Sequence, residues 1–82
     1  MARPKISVIV LNWNNYKDSK ECLASLMNQN YTNLDIIFVD NGSTDKSADR
    51  LKKEFKNIKF ICNTENFGYA KGNNIGIKHA IK

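Results

Sequence analysis

Apolar positions along this chain fall into two kinds of stretch, continuous runs and spaced ones. Lys5-Ile6-Ser7-Val8-Ile9-Val10-Leu11 and Ile36-Ile37-Phe38-Val39 are β-branched or aromatic almost throughout. Such runs read as strands buried on both faces of a parallel sheet. Ile58-Lys59-Phe60-Ile61-Cys62 is a shorter third strand. Between the first two, Cys22, Leu23, Leu26 and Met27 recur at helical spacing, which predicts a helix from about Asp18 to Gln29 with one apolar face. Ala48, Leu51 and Phe55 predict a second helix from about Thr44 to Phe55. Ser43 would be its N-cap, and Asp45 would sit in the first turn, where the helix dipole favours an anion. A third helix is predicted from about Tyr69 to Ile81.

That helix carries Gly72 and Gly76, each roughly 0.5–1 kcal/mol less favourable than Ala in a helix interior. Glycines four apart share one face. Two readings stand: close packing of helix on sheet, or a helix start that a ligand approaches closely.

The order β-α-β-α-β-α predicts an α/β fold: a Rossmann-like half with three layers and a three-stranded parallel sheet in order 3-2-1. Residues 1–82 form one domain, with no repeat, linker or low-complexity segment. The outer edge of the first strand would be unpaired and apolar, a liability in an isolated sheet. The expectation is therefore that the sheet continues in a longer parent protein, of which this chain is a fragment, or that the chain self-associates through that edge.

Composition changes this picture little. Apolar residues make up 41% and charged residues 26% of the chain, as in ordinary soluble domains. No apolar run approaches the ~18–20 residues that span a bilayer, and the basic start Met1-Ala2-Arg3-Pro4-Lys5 lacks the apolar stretch of a signal peptide. Cys22 and Cys62 are isolated, which suggests a reduced, cytoplasmic chain with two structural thiols. His79, the single histidine, has no partner at metal-ligand spacing and reads as a surface or helix-end residue.

Charge is unevenly placed. Residues 1–45 hold four basic and five acidic side chains, residues 46–82 nine and three. A basic half of this kind attracts nucleic acid, anionic membrane or phosphorylated ligands. However, Lys46, Arg50, Lys52, Lys53 and Lys56 alternate with Asp49 and Glu54, so a solvated helix face is the simpler account and no nucleic-acid partner is expected.

Chemistry is expected where Asn12–Tyr16, Asp40–Ser43 and Asn63–Tyr69 leave the carboxyl ends of the strands, the edge at which open α/β sheets bind ligands. There, Trp13, Asp40, Asn41 and the 63–74 segment would share a cleft. Trp13 either stacks on a planar base or caps the core. Asn41 has the donor and acceptor to pair with a pyrimidine imide, or is an ordinary turn residue before Gly42. Asp40 either takes part in the ligand site or holds the loop amides. The chain contains neither G-x-x-x-x-G-K-[ST] nor G-x-G-x-x-G after the first strand, and it has no Ser-His-Asp set, zinc spacing or D-x-D pair.

Three stretches, taken in order and spacing, resemble the opening third of a family 2 glycosyltransferase of GT-A fold. They are Ser7-Val8-Ile9-Val10-Leu11-Asn12-Trp13-Asn14, Val39-Asp40-Asn41-Gly42-Ser43-Thr44-Asp45 and Asn66-Phe67-Gly68-Tyr69-Ala70-Lys71-Gly72-Asn73-Asn74-Ile75-Gly76-Ile77. The V-D-N-G-S and G-N-N-x-G forms resemble the rhamnosyltransferase-like branch. The resemblance implies binding of a nucleotide-sugar donor, a UDP- or dTDP-sugar. Leu11 and Trp13 would border the base, Asn41 would address its edge, and Asp40, Gly42 and Asn73 would complete the site. Relatives often have Asp where this chain has Asn41, and Arg where it has Asn73.

The implied parent reaction is inverting transfer of a hexosyl or rhamnosyl group to an acceptor hydroxyl. In relatives it uses a divalent metal (Mg or Mn) on a D-x-D motif and an acidic base, both beyond the matched stretch. This chain alone would hold no metal and would be inactive. A small α/β interaction or regulatory domain with no nucleotide ligand is the competing reading.

Overall fold

The strands β1 (Ile6–Asn12), β2 (Leu34–Asp40) and β3 (Lys59–Cys62) lie parallel in one sheet, in the order β1-β2-β3. The helices α1 (Tyr16–Met27), α2 (Ser47–Glu54) and α3 (Tyr69–Ala80) alternate with them, as the hydrophobic pattern predicts. The computed structural model describes residues 4–31 and 33–81. Register runs from Ile6 opposite Leu34 to Asn12 opposite Asp40, and Asp40 is in turn opposite Cys62. All three strands therefore end abreast. The ladder continues one step further, where the Asn41 N–H donates to the Asn12 carbonyl at 2.8 Å and the Asn63 N–H to the Asp40 carbonyl at 2.8 Å.

Alternation along the strands sends side chains to two layers. On one face Val10, Ile36 and Phe38 pack with Leu23 of α1, Leu51 of α2 and Ile58. Phe38 and Phe60 meet with ring centroids 5.0 Å apart. Leu23, Ile37, Phe38, Val39 and Leu51 are fully buried, each contributing about 1.5–3 kcal/mol of transfer free energy. On the other face, α3 lies against Ile9, Leu11 and Val39 through its glycines. A methyl added at Gly76 would sit 2.7 Å from Ile9 Cγ2, and one at Gly72 2.8 Å from Leu11 Cδ1. Close helix–sheet packing thus accounts for the glycine pair.

Four expectations are corrected. The first strand is not buried on both faces. As an edge strand it keeps Ile6 45% exposed, and only Val10 and Asn12 are fully covered. Cys22 and Met27 do not belong to the buried face of α1, and both cysteines are free and exposed rather than structural. The buried stripe is Ser19, Leu23 and the half-buried Leu26. Ser19 turns inward because its hydroxyl donates to Asn12 Oδ1 at 2.7 Å, and that rotates the helix relative to its apolar pattern. The helix also begins earlier than expected, capped by Asn15, whose side chain accepts from the Asp18 N–H.

The fourth concerns α2, which starts at Ser47 rather than Thr44. Ser43 is not its N-cap, because Asp40 draws it back to the sheet: the Ser43 N–H donates to Asp40 Oδ2 at 3.0 Å and its hydroxyl to Oδ1 at 2.6 Å. Lys46 occupies the cap position with φ 63° and no side-chain cap bond. Asp45 satisfies part of the helix start instead, accepting from the Ser47 N–H at 2.9 Å. Among the described residues, no helix is long and apolar enough to cross a membrane.

Candidate functional site at the carboxyl edge of the sheet

Asn12, the last residue of β1, is 1% exposed and sits at the centre of this edge. Its two amide hydrogens have three acceptors in reach: Asp40 Oδ1 at 2.8 Å, Ser47 Oγ at 2.8 Å and Ser43 Oγ at 3.1 Å. With its carbonyl held by Ser19, one side chain ties together α1, the end of β2, the following turn and the first residue of α2. A buried polar group is tolerable only when it is hydrogen-bonded. Among the described residues, no buried side-chain nitrogen or oxygen lacks a partner. Asp40, 4% exposed, directs both carboxylate oxygens into this network, so the reading in which it holds the loop describes its geometry.

Asn14 joins the same loops at the surface. It adopts φ 49°, a left-handed conformation that Asn and Asp tolerate better than most residues. From there its side-chain carbonyl accepts from the Thr44 N–H at 2.8 Å and the Asp45 N–H at 3.2 Å, and its amide reaches Thr44 Oγ1 at 3.3 Å. Its own N–H donates to Ser43 Oγ at 2.9 Å.

Between these two pinned residues, Trp13 is 53% exposed. It does not cap the core. Together with Leu11, Val10, Asn15, Asp18 and Cys22 it lines a hollow of about 260 Å³. That lies just under the ~300–1,000 Å³ typical of small-molecule pockets, a size suited to part of a ligand such as a base.

Asn41 is 2% exposed, and its side chain is engaged at every position. The amide donates to Asn66 Oδ1 at 3.0 Å and to the Gly68 carbonyl at 3.1 Å, while the carbonyl accepts from Asn63 Nδ2 at 3.1 Å and the Phe67 N–H at 3.1 Å. It fastens the 63–68 loop, and with it the start of α3, to the end of β2. Gly42, at φ 76°, passes directly against the backbone of Glu65 and Asn66.

The structure therefore divides the expected common cleft. Leu11 and Trp13 line one hollow. Asp40 lines another, of about 230 Å³, with Ser43, Thr44, Lys46 and Asn63. Asn41 borders neither of these two, and its amide nitrogen lies beside Gly72, as does the tip of Leu11. Asn73 is half-buried in the first turns of α3. Sequence reading missed Asn12 and Asn14 as the residues that hold the loops. Periodicity cannot reveal a buried polar hub, and the one available signal was Ser19 standing on an otherwise apolar helix face.

Asp45 is the acid at this edge with a displaced pKa. Hydrogen bonds from the Ser47 side chain and backbone hold its carboxyl below the usual range. Among the described residues, no three His, Cys, Asp or Glu side chains gather in a way that could hold a metal ion.

Comparison with known proteins bears on this edge directly. The family model described as glycosyl transferase family 2 matches residues 7–81, from the second residue of β1 to the end of α3. An uncharacterized glycosyltransferase of Haemophilus influenzae is 40% identical over 77 residues, covering 90% of this chain and 24% of that protein. Glycosyltransferase GlyG of Streptococcus pneumoniae is 35% identical over 78 residues, covering 92% of this chain and 26% of that protein. A teichoic acid poly(glycerol phosphate) polymerase of Staphylococcus epidermidis is 35% identical over 78 residues, covering 90% of this chain and 11% of that protein. The chain thus spans about a quarter or less of the length of these relatives. With the parallel half-sheet and the family match running together through almost every element, the chain belongs to glycosyl transferase family 2.

Proposed function

We propose that this chain binds the nucleotide of a sugar-nucleotide donor, a UDP- or dTDP-sugar, and serves the donor side of an inverting hexosyl or rhamnosyl transfer to an acceptor hydroxyl in the cytoplasm. The supporting observation is the exposed Trp13 at the sheet's carboxyl edge, inside the matched family segment and beside a base-sized hollow. An aromatic face stacks on any planar base and contributes about 1–3 kcal/mol per stacked base.

In this reading Trp13 carries the stacking contact and Leu11 forms the apolar border. Gly42 and Asn41 set the shape of the adjoining 63–68 loop, and Asn73, half-buried in the first turns of α3, completes the site. Contact between Asn41 and the edge of the base requires exchange of internal hydrogen bonds for bonds to the ligand. Asp40, committed to Asn12 and Ser43, keeps the edge in shape. Both of its carboxylate oxygens are taken up inside the fold, so donor recognition rather than the transfer step is assigned to this chain.

The test is an amide and indole NMR titration with UDP and dTDP to millimolar concentration. Shifts at the Trp13 indole and in residues 11–15, without added metal, are expected. A spectrum in which those resonances stay fixed would overturn the assignment. So would salt-sensitive binding to DNA or RNA in place of nucleotide, the signature of phosphate contacts alone.

A further inference from the structure

We propose that Asn14 is a positioning residue that fixes Trp13 as a preformed stacking platform for the base. This rests on the donor-binding reading above. Trp13 is more than half exposed, yet the residues on both sides of it are immobilised. Asn12 is buried in a four-way hydrogen-bonded hub, and Asn14 clasps the turn after β2 through the N–H groups of Thr44 and Asp45. An exposed indole on a free loop would have to be ordered on binding, and ordering a side chain and its loop opposes association. Here the fold has already ordered the backbone on either side. The clasp also steadies the turn that leads into α2, since the Thr44 and Asp45 N–H groups it holds stand just before Lys46, the cap position. One amide side chain thus anchors both the turn before α2 and the loop that carries the platform.

The left-handed backbone at Asn14 makes the idea separable from simple strain. Asn14→Gly keeps the φ of 49° without strain and removes the clasp, while freeing the backbone there, which is why Asn14→Asp and Asn14→Ser are compared beside it. Asn14→Asp keeps the accepting oxygen for Thr44 and Asp45. Trp13 is the sole tryptophan, so its fluorescence reports the site without a label. The experiment measures UDP affinity by quenching of Trp13, together with the time-resolved anisotropy of Trp13 in the free protein, for the unaltered chain and all three variants.

Expected is a three- to tenfold weaker affinity for Asn14→Gly, from the lost preorganisation, and an affinity within about twofold of the unaltered chain for Asn14→Asp. Faster indole motion in the free glycine variant should accompany the loss. Equal affinity and equal anisotropy in the glycine variant and the unaltered chain would overturn the proposal. An aspartate variant as impaired as the glycine one would overturn it too. A glycine variant that fails to fold shifts the decision to Asn14→Asp and Asn14→Ser, of which only the aspartate should keep its affinity. Absence of UDP binding by the unaltered chain instead sinks the donor-binding reading itself, a distinguishable result.

Discussion

Gly42 and Glu65 lie in backbone contact: a Cβ at Gly42 would stand 2.6 Å from the Glu65 carbonyl carbon and 2.7 Å from its Cα. Neither atom belongs to a flexible side chain that can swing away. Gly42 also has φ 76°, where a side chain is strained in any case. Gly42→Ala is therefore expected to lower stability by about 2–4 kcal/mol, strain and overpacking together. Urea denaturation of the variant checks this, and a loss under about 1 kcal/mol would show that the 63–68 loop is free to retreat.

The two glycines of α3 should respond differently to the same change. Replacement by Ala gains roughly 0.5–1 kcal/mol of helix propensity. At Gly76 the new methyl meets branched Ile9 and Val39, at 2.7 and 3.1 Å, on a sheet that cannot yield. Overpacking of about 1–3 kcal/mol outweighs the gain there. At Gly72 the nearest atom is the tip of the half-buried Leu11 side chain at 2.8 Å, which can rotate aside, and the hydrogen-bonded Asn41 Nδ2 follows at 3.1 Å and must give by a few tenths of an ångström. Gly76→Ala should lower the denaturation midpoint clearly, and Gly72→Ala should lower it less.

Asn12 offers a test of the hub. Asn12→Ala orphans the Ser19 and Ser47 hydroxyls and one side of Asp40, with an expected loss of about 2–3 kcal/mol. Asn12→Asp is nearer in shape, yet it turns the donor facing Asp40 Oδ1, 2.8 Å away, into a buried like charge. It should be the more damaging variant, by about 3 kcal/mol or more. Denaturation curves showing the aspartate variant as the more stable of the two would contradict the network as described.

On the outer surface, Tyr16 of α1 donates to Glu54 of α2 at 2.5 Å, Lys20 pairs with Glu54 at 3.0 Å, and Arg50 stacks 3.7 Å from the centre of the Tyr16 ring. The Tyr16 hydrogen bond first, then Lys20, holds the Glu54 carboxyl below its ordinary value of 4.5. Glu54 in turn holds the Lys20 ammonium above its ordinary 10.5. A depressed carboxyl contributes stability that is present above 4.5 and is lost as pH falls through the lowered folded value. A raised ammonium contributes stability that is present below 10.5 and is lost as pH rises through the raised one. Glu54→Gln should flatten both limbs of a stability-versus-pH curve. Part of the acid limb should remain, because Asp45 is depressed as well, by its bonds from Ser47. Added salt should shrink the effect, since these groups face solvent.

The elements were legible in the sequence wherever burial imposed a period. Ile36–Val39 reads as a buried strand because β2 is flanked on both edges and covered on both faces. Leu51 and Ala48 mark α2 for the same reason. The errors cluster where polar groups replace apolar ones inside. Ser19 is buried because the Asn12 side-chain carbonyl needs a donor, and this turns Cys22 outward. Ser43, a natural cap by type, is claimed by Asp40 across the turn. At the edge of the sheet, sequence reading placed Asp40 and Asn41 where they lie but could not tell a residue that holds a loop from one that meets a ligand. Hydrogen-bond partners decide that, and Asn63, Asn66 and Phe67 stand 22 to 26 positions away from Asn41.

The constant offset of 28 positions between β1 and β2, from Ile6–Leu34 to Asn12–Asp40, has a kinetic side. Every bond of that ladder requires closure of a loop of the same size, so the entropy of bringing the strands together is spent once, and the remaining pairs then follow with little further loss. Parallel pairing of this kind is slow to nucleate. The β1-α1-β2 unit, whose contacts include the fully buried Leu23 and Phe38, is the natural place for the barrier. β3 and α3 would add afterwards to a template already in register. Substitutions at Val10 or Leu23 should then slow folding, while those at Gly76 should mainly speed unfolding.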